Sequence, residues 1–314
     1  MEFELLKRYN WSMKIAILGF GREGESAYHY WNKPENNITI HDNNINTKLP
    51  SGAGSKLGAD AFDELDSLGY DLLVRTPGLR LDFNNIKTPI TTVTNEFMAK
   101  CPCAVIGVTG TKGKGTTATL IYEILTLAGY NTHLLGNIGV PALDELSSIK
   151  SDDLVVYEMS SFQLFDIKKS PHVAVCLMVT EDHLDWHKDL AEYQSAKANI
   201  FRFQKASDVA VFFADDEVSS QLALNSASST KYSYGLSGDV SFSDEKIMAF
   251  GQEVINTSEV GLPGPHNLQN ICAAIAGVWD YTDDVNIIAQ AVKNFKGLPY
   301  HIELVANNNG IRYY

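Results

Sequence analysis

The sequence predicts an α/β protein with two domains, each built on a mostly parallel sheet. Its 314 residues exceed the size at which a single hydrophobic core is usual. Short apolar runs alternate with helical patterns along most of the chain, which is typical of strand–helix–strand units. Two glycine-rich loops each follow an apolar run, the position at which open α/β sheets bind ligands.

The first domain is predicted to span residues 1–98. Its strand candidates are the apolar runs at 13–20, 38–42 and 71–78, the last of which ends in a Pro-Gly turn. The segment GREGESAYHYW after the first run begins a helix. Strands separated by helices favour parallel pairing, because a parallel neighbour needs a crossover connection.

The second domain is predicted to span residues 99–304. Its apolar runs lie at 104–108, 153–161, 172–180 and 208–215. Residues 216–261 are rich in Ser, Gly and Asp, which favours short antiparallel strands. NLQNICAAIAGVWDY and VNIIAQAVKNF predict two closing helices, and residues 305–314 are interpreted as the start of a linker to a further domain.

Composition excludes several classes of function. A net charge of −13 argues against a nucleic-acid or anionic-membrane surface, since both need clustered positive charge. The N-terminus lacks the apolar core of a signal peptide, and no run approaches 18 apolar residues. The four cysteines include one Cys-x-Cys and no Cys-x-x-Cys, so a disulfide framework or zinc site is not expected. A cytoplasmic protein fits these features best.

The first glycine-rich loop is Gly19-Phe20-Gly21-Arg22-Glu23-Gly24, and Asp42 ends the next strand. This is the pattern of a Rossmann-like dinucleotide fold, with backbone amides at a helix N-terminus facing a phosphate. A plain tight turn is the competing interpretation, and the ligand could be any nucleotide diphosphate. Thr76-Pro77-Gly78 forms another loop at the same predicted sheet edge.

The second loop is Thr109-Gly110-Thr111-Lys112-Gly113-Lys114, between a strand and a helix. It matches a P-loop, in which backbone amides and a lysine hold phosphate oxygens. The motif continues with Ser or Thr, whose hydroxyl binds magnesium, but here the next residue is Gly115. Thr116 is the nearest hydroxyl that could replace it. The competing interpretation is a glycine-rich turn with exposed lysines.

Three further side chains are candidates for metal binding. Glu158 ends an apolar strand, where a carboxylate can meet a nucleotide-bound magnesium. His183 lies in the acid- and imidazole-rich segment 180–187. The competing interpretations are a strand-end surface carboxylate for Glu158 and, favoured when that residue is taken alone, a structural or solvated imidazole for His183. Lys197, in EYQSAKANIF, would by default be a solvated helix lysine, and composition alone favours nothing else.

Taken together, these motifs resemble the Mur ligase family, and within it the branch that adds D-glutamate. The match runs in order along nearly the whole chain. It comprises TGTKGK at 109–114, GNIG at 136–139, EMSSFQ at 158–163, TEDH at 180–183, YQSAK at 193–197, His266-Asn267, Asn270 and FKGLP at 295–299. The resemblance implies a Rossmann-like first domain and a P-loop NTPase-like central domain.

The family resemblance also implies roles that the residues alone do not assign. The first domain would bind UDP-N-acetylmuramoyl-L-alanine through Gly21, Arg22, Glu23, Asp42, Thr76, Pro77 and Gly78. Asn137, Ser160 and Gln163 would hold the middle of that substrate. ATP would contact Gly110, Thr111, Lys112, Gly113, Lys114, Gly115, Thr116, Asn267, Asn270 and His301.

Catalysis is expected to depend on Lys114, Glu158, His183 and Lys197. Thr116 and Glu158 would bind one Mg²⁺, and His183 and Lys197 a second, with Lys197 carried as its carbamate. A carbamate is an anionic oxygen ligand, whereas an ammonium would repel the ion. The reaction implied is ATP-dependent amide formation with D-glutamate through an acyl phosphate, by a monomer.

Three departures from the family pattern qualify this expectation. Gly115 stands where Ser or Thr is expected, a feature shared with folylpolyglutamate synthases. His301 replaces an arginine that contacts ATP. Family members have a further C-terminal domain, so weak or absent ligation is expected of this chain. The alternatives are a folylpolyglutamate-synthase-like ligase and a non-catalytic nucleotide-sugar-binding module.

Overall fold

The computed structural model describes residues 12–81, 85–262, 264–298, 306–308 and 311–313. The chain divides into two compact units. Unit 1 comprises Met1–Lys100 and Pro141–Ser148, and unit 2 comprises Cys101–Val140 and Ile149–Tyr314. The segment Pro141–Ser148 therefore groups with unit 1, although residues of unit 2 flank it in sequence.

Unit 1 is built on a five-stranded sheet. Its strands are β1 (Lys14–Leu18), β2 (Asn37–Asp42), β3 (Gly54–Leu57), β4 (Leu72–Arg75) and β5 (Ile90–Thr92). All pairs are parallel and the order is β3-β2-β1-β4-β5. With labels numbered along the whole chain, its helices are α1 (Arg22–Trp31), α2 (Val93–Lys100) and α4 (Ala142–Glu145). The predicted parallel sheet and its three predicted strands are confirmed.

Unit 2 is built on a nine-stranded sheet. Its strands are β6 (Ala104–Thr109), β7 (Thr132–Gly136), β8 (Leu154–Glu158), β9 (Val173–Cys176), β10 (Val209–Phe213), β11 (Thr230–Gly235), β12 (Val240–Phe242), β13 (Lys246–Ala249) and β14 (Gln252–Asn256). The order is β14-β13-β12-β11-β10-β9-β6-β8-β7. The strands from β6 to β12 pair in parallel.

The helices of unit 2 connect these strands and cover the sheet. They are α3 (Lys114–Leu127), α5 (Ser161–Leu164), α6 (Leu190–Arg202), α7 (Glu217–Leu224), α8 (Pro265–Val278) and α9 (Val285–Asn294). The two helices predicted near the end of the chain are confirmed as α8 and α9. Beyond them, β15 (Ala306–Asn308) and β16 (Ile311–Tyr313) pair antiparallel.

The prediction for residues 216–261 was only partly correct. β12, β13 and β14 are antiparallel, as expected. β11 is parallel to both β10 and β12, so the antiparallel prediction was wrong for that strand. The reason lies in the connection: helix α7 (Glu217–Leu224) separates β10 from β11, and a helical crossover joins parallel neighbours. Tyr234 of β11 is buried and stacks on Phe213 of β10, with ring centroids 5.2 Å apart.

The core of unit 2 fixes where the loop after β6 lies. Helices α3 and α8 pack against the sheet through fully buried apolar side chains such as Ile121, Ile124 and Ile275. Gly277 of α8 allows close approach, since a Cβ there would lie 3.1 Å from Val175 and 3.2 Å from Ile121. The carboxyl edge of the central strands therefore rests on a rigid layer. No helix in the described part of the chain is long and apolar enough to cross a membrane.

Candidate functional site

The loop between β6 and α3 has the backbone shape that a phosphate loop requires. Gly110 and Gly113 have φ values of 151° and 85°, which residues with a side chain rarely adopt. Neither position has room for a side chain. A Cβ at Gly110 would lie 2.5 Å from Leu177, and a Cβ at Gly113 would lie 2.2 Å from Asn270 Oδ1. Gly113 is the N-cap of α3 and makes no side-chain cap. The first amides of the helix can therefore face an anion.

Two lysines converge on one carbonyl of this loop. Lys114 Nζ donates to the carbonyl oxygens of Gly110 at 3.1 Å and Thr111 at 3.0 Å. Lys197 Nζ, from α6, donates to the same Gly110 oxygen at 2.7 Å and to Thr109 Oγ1 at 3.4 Å. Burial lowers the pKa of both amines, and the Lys114 charge lowers that of Lys197 further, to about 7. The site therefore holds an amine that is readily neutral at physiological pH.

Lys197 is 1% exposed, so its default interpretation as a solvated helix lysine was wrong. Its helix buries Tyr193, Ala196 and Ile200 with it. Those four positions have the i, i+3, i+4, i+7 spacing of a core-facing stripe. The signal was present in the sequence: a lysine at the centre of an otherwise apolar stripe.

Glu158 ends β8, next to β6 in the sheet, and is 2% exposed. The Asn137 side chain and the Ile138 amide donate to it, yet Oε2 has no hydrogen-bond donor among the described residues. Desolvation raises the pKa of Glu158, and the Lys114 charge opposes that rise. A buried oxygen without a donor beside a phosphate loop is suited to a divalent cation.

A network of hydroxyl groups, not expected from the sequence, holds the loop in place. Thr111 Oγ1 lies 2.9 Å from both the carbonyl oxygen of Thr180 and the hydroxyl of Tyr193. The backbone amide of Thr180 donates back to Thr111 Oγ1 at 2.9 Å. Lys197 Nζ also lies over the Tyr193 ring, 4.8 Å from its centroid. Tyr193 therefore contacts both the loop and its buried lysine.

His183 lies on a more open part of the site. Its side chain is 46% exposed, with Nε2 3.9 Å from Asp182 Oδ2 and its ring 4.8 Å from that of Phe162. Asp182 also pairs with Lys112 at 3.1 Å. The described residues contain no group of three or more His, Cys, Asp and Glu side chains placed to hold a metal. A metal here would thus need hydroxyl, modified-lysine or ligand oxygens in addition.

The residues after Lys114 differ in burial. Thr116 is half-buried, whereas Thr117 is fully buried and donates to the carbonyl oxygen of Asn270 at 3.5 Å. Gly115 faces Leu298 and Ile138: a Cβ would lie 2.9 Å from Leu298 Cδ1 and 3.7 Å from Ile138 Cγ2. The glycine is therefore matched to its local packing.

The predicted ATP contacts Asn267 and Asn270 lie in the first turns of α8 and are largely buried. Asn270 Nδ2 donates to Asn267 Oδ1 at 3.3 Å, and Asn270 Oδ1 packs against Gly113. Both therefore lie at the P-loop. His301, the remaining predicted ATP contact, is outside the described residues.

Ser160 and Gln163 have a clear local role. Ser160 is the N-cap of α5, and the two side chains form a capping box. Gln163 N donates to Ser160 Oγ at 3.3 Å, and Ser160 N donates to Gln163 Oε1 at 2.9 Å. These bonds orient both side chains just beyond Glu158. Their contact with substrate stays a prediction.

The predicted loop of unit 1 is held from two sides. Asp42 accepts from the amides of Phe20 at 2.7 Å and Asn44 at 2.8 Å. Thr76 Oγ1 donates to the carbonyl oxygen of Leu18 at 2.8 Å. Gly24 is needed because a Cβ there would lie 2.2 Å from the carbonyl oxygen of Gly19. Asp42 and Thr76 therefore shape the loop through contacts within the protein.

Arg75 was not singled out by the sequence, although it is fully buried in unit 1. Its Nη1 donates to the carbonyl oxygens of Thr76, Pro77 and Leu79 at 3.2, 3.1 and 2.9 Å. The arginine therefore fixes the Thr-Pro-Gly turn. An arginine just before that turn, at the end of an apolar run, was the available signal.

The fold and site of unit 2 define a P-loop nucleotide-binding protein. The Mur ligase middle domain family matches residues 108–278. UDP-N-acetylmuramoylalanine–D-glutamate ligase of Acetivibrio thermocellus is 38% identical over 96% of this chain and 68% of its own length. The corresponding ligase of Clostridium botulinum strain Langeland is 34% identical over 96% and 69%.

Solved structures show the same fold. UDP-N-acetylmuramate:L-alanyl-γ-D-glutamyl-meso-diaminopimelate ligase from Neisseria meningitides superposes with a TM-score of 0.63 at 18% identity, covering 92% of this chain and 99% of that one. UDP-N-acetylmuramate–alanine ligase from Thermotoga maritima gives 0.59 at 21% identity, covering 95% and 72%. The chain belongs to the Mur ligase family, whose members are ATP-dependent ligases that form amide bonds and use Mg²⁺.

Proposed function

We propose that this chain binds UDP-N-acetylmuramoyl-L-alanine and Mg·ATP for amide formation with D-glutamate through an acyl phosphate. The observation that carries the proposal is the convergence of Lys114, Lys197 and Glu158 at the P-loop. It occurs in a chain 38% identical to a ligase named for D-glutamate addition. Sequence similarity supports the substrate, and the buried charges support the chemistry.

The charges explain why the reaction needs this site. A substrate carboxylate and the γ-phosphate of ATP are both anions, so their approach is opposed electrostatically. Lys114 would offset that repulsion, while the amides of Gly110, Lys112, Gly113 and Gly115 would orient the phosphates. The Thr111 amide donates to the carbonyl oxygen of Met178 at 2.8 Å and instead holds the loop. Asn267 and Asn270 would contact ATP from α8. Holding both reactants in one orientation supplies a further part of the rate.

Magnesium binding is proposed at two positions. Glu158 fits the first, because its buried Oε2 has no donor among the described residues, and Thr116 would add a hydroxyl. His183 and Lys197 would form the second. Bound there, Mg²⁺ supplies charge neutralisation for the phosphoryl and acyl oxygens.

Modification of Lys197 by carbon dioxide would reconcile it with a cation. Its amine has a pKa of about 7, so roughly half of it is neutral at that pH and able to attack CO₂. The resulting carbamate exchanges a buried positive charge for an anionic oxygen ligand. The protein equilibrated with ¹³C-labelled bicarbonate should give one carbamate carbon signal, which Lys197→Met removes and Lys293→Met retains.

Unit 1 is proposed to bind the UDP part of the substrate. The exposed residues Gly21 and Arg22, with Glu23, begin α1 and would face the diphosphate. Asp42, Thr76, Pro77 and Gly78 would border the same ligand. In unit 2, Asn137, Ser160 and Gln163 would contact the acyl end. We also propose that the protein acts as a monomer in the cytoplasm, where UDP-linked precursors and ATP occur.

Calorimetric titration tests the proposal on this chain. We expect saturable binding of UDP-N-acetylmuramoyl-L-alanine and of Mg·ATP, and no binding of a folate substrate. Lys114→Met should weaken Mg·ATP binding by roughly tenfold or more and leave the UDP ligand unaffected. The exposed-lysine variant Lys293→Met is the matched control. Folate binding would favour the folylpolyglutamate-synthase alternative. Failure to bind UDP-N-acetylmuramoyl-L-alanine would refute the proposal that it is the substrate.

A further inference from the structure

A pair of thiols lies outside the site described above. Cys101 is the first residue of unit 2, and Cys103 directly precedes β6. Their Sγ atoms are 3.7 Å apart, and each thiol also lies near a backbone carbonyl. The two are 9% and 5% exposed, whereas Cys176 and Cys272 are completely enclosed. Two of the four cysteines therefore face each other, both buried but less completely enclosed than the other two.

Their surroundings make the two thiols unequal. Either thiol can donate to the other across this contact. The contact with Cys103, and the positive potential of Lys169 and His133, lower the pKa of the Cys101 thiol. The same pairing raises the pKa of Cys103. We therefore expect Cys101 to carry the thiolate and Cys103 the proton.

We propose that Cys101 and Cys103 form a reversible disulfide and that the pair is a modification site for small peroxides. The Cys101 thiolate attacks a peroxide oxygen, the O–O bond breaks, and hydroxide leaves as a sulfenic acid forms. The Cys103 sulfur then attacks the Cys101 sulfur, the S–O bond breaks, and the S–S bond forms. The Cys103 proton and one from solvent complete two waters, and two electrons pass from the sulfurs to hydrogen peroxide.

Proximity, more than acidity, carries the proposal. A lowered thiol pKa raises the thiolate fraction at pH 7, but it also lowers the nucleophilicity of that thiolate, so the two effects partly cancel. The first step therefore gains little over a free thiol. The second step gains more, because the resolving sulfur is already in contact and must approach by about 1.7 Å to reach bonding distance.

Bridging these residues asks little of the surrounding fold. Pro102 between them has no backbone N–H to lose, and Cys103 lies at a bend before β6 begins. Because the two sulfurs already lie 3.7 Å apart, we expect side-chain rotation to close the bond while β6 keeps its pairing. The bridge forms a small ring that thiol reductants reopen by exchange.

Peptide mass analysis of the full chain tests the pair directly. Trypsin cleavage after Lys100 and Lys112 yields one peptide, 101–112, that holds both cysteines and no other. The reduced protein is treated with hydrogen peroxide, blocked with N-ethylmaleimide and digested. We expect this peptide to lose two hydrogens, to take up no maleimide, and to recover two maleimides after dithiothreitol.

Single variants distinguish the two thiols. Cys103→Ser should accumulate a Cys101 sulfenic acid that dimedone traps, whereas Cys101→Ser should give neither that adduct nor the disulfide. Cys272→Ala, at an enclosed thiol, should behave as the wild type. Two maleimides retained on the wild-type peptide, when free glutathione is oxidised under the same conditions, would overturn the proposal. A stable sulfenic or sulfinic acid on wild-type Cys101 would do so as well.

Discussion

Replacing Lys197 with methionine should stabilise the protein at neutral pH, by an amount that shrinks as the pH rises. The amine is 1% exposed and its pKa is about 7, against 10.5 for the free side chain. A difference of that size corresponds to about 5 kcal/mol opposing the folded state when the amine is charged. Methionine has similar length and removes the charge.

The sign follows from proton binding. Between pH 7 and 10.5 the unfolded chain holds the Lys197 proton and the folded chain has lost it. Wild-type stability therefore rises through that window, whereas the variant has no such dependence at this position. Burial of the Lys197 amine lowers the free energy of unfolding of the wild type by about 4 kcal/mol at pH 7 and by about 2 kcal/mol at pH 9. This loss is constant below about pH 6. Loss of the bonds to Gly110 and Thr109 offsets roughly 1–3 kcal/mol of the variant's gain.

Urea unfolding of both proteins at pH 6, 7, 8 and 9 measures this difference. The buffers should be free of carbon dioxide, nucleotide and divalent cations, so that Lys197 remains an amine. Lys293→Met, an exposed lysine paired with Glu259, controls for loss of one positive charge. The stability difference between Lys197→Met and wild type should fall by about 2 kcal/mol from pH 7 to pH 9. A difference that is constant or grows with pH would refute a neutral buried amine.

Three further substitutions test the rest of the P-loop. Glu158→Gln keeps the shape of the side chain and removes its anionic oxygen. In calorimetry, magnesium should raise the ATP affinity of the wild type roughly tenfold and that of the variant not at all. Unchanged magnesium dependence in the variant would exclude Glu158 as a ligand. Gly115→Ser should cost only about 1 kcal/mol in urea unfolding, because the nearest atom is the end of the Leu298 side chain. Combining it with Leu298→Ala should relieve part of that strain, and purely additive effects would contradict this contact. Gly113→Ala should cost more, roughly 2–3 kcal/mol, since φ is 85° and Asn270 must move; a loss below that of Gly115→Ser would show that the loop adapts.

The sequence predicted the strands whose apolar runs are long and buried. β1, β6 and β8 were expected because every interior residue is apolar, and the structure buries each of them. β3 and β5 were not expected, since GSKL and ITT are short and only partly buried. They exist because neighbouring strands supply hydrogen bonds, which no local pattern encodes.

The site was predictable in its parts but not in its arrangement. Motif spacing indicated Lys114 and Glu158, and the family resemblance indicated Lys197. Neither could indicate that Lys114 and Lys197 donate to the same Gly110 carbonyl, because that contact depends on how α6 crosses the sheet. The bond between Tyr193 and Thr111 joins residues 82 apart in sequence and was missed for the same reason.

The order of strands in unit 2 has a consequence for how the protein is made. β6 carries the phosphate loop, yet its two neighbours are β8 and β9, which follow it in the chain only after β7. As the polypeptide leaves the ribosome, the loop sequence therefore emerges well before the strands that hold it. Its shape is fixed only when distant segments have joined β6, and such long-range pairing is intrinsically slow. Acquisition of nucleotide affinity during refolding would therefore report completion of the central sheet, and not formation of the loop itself.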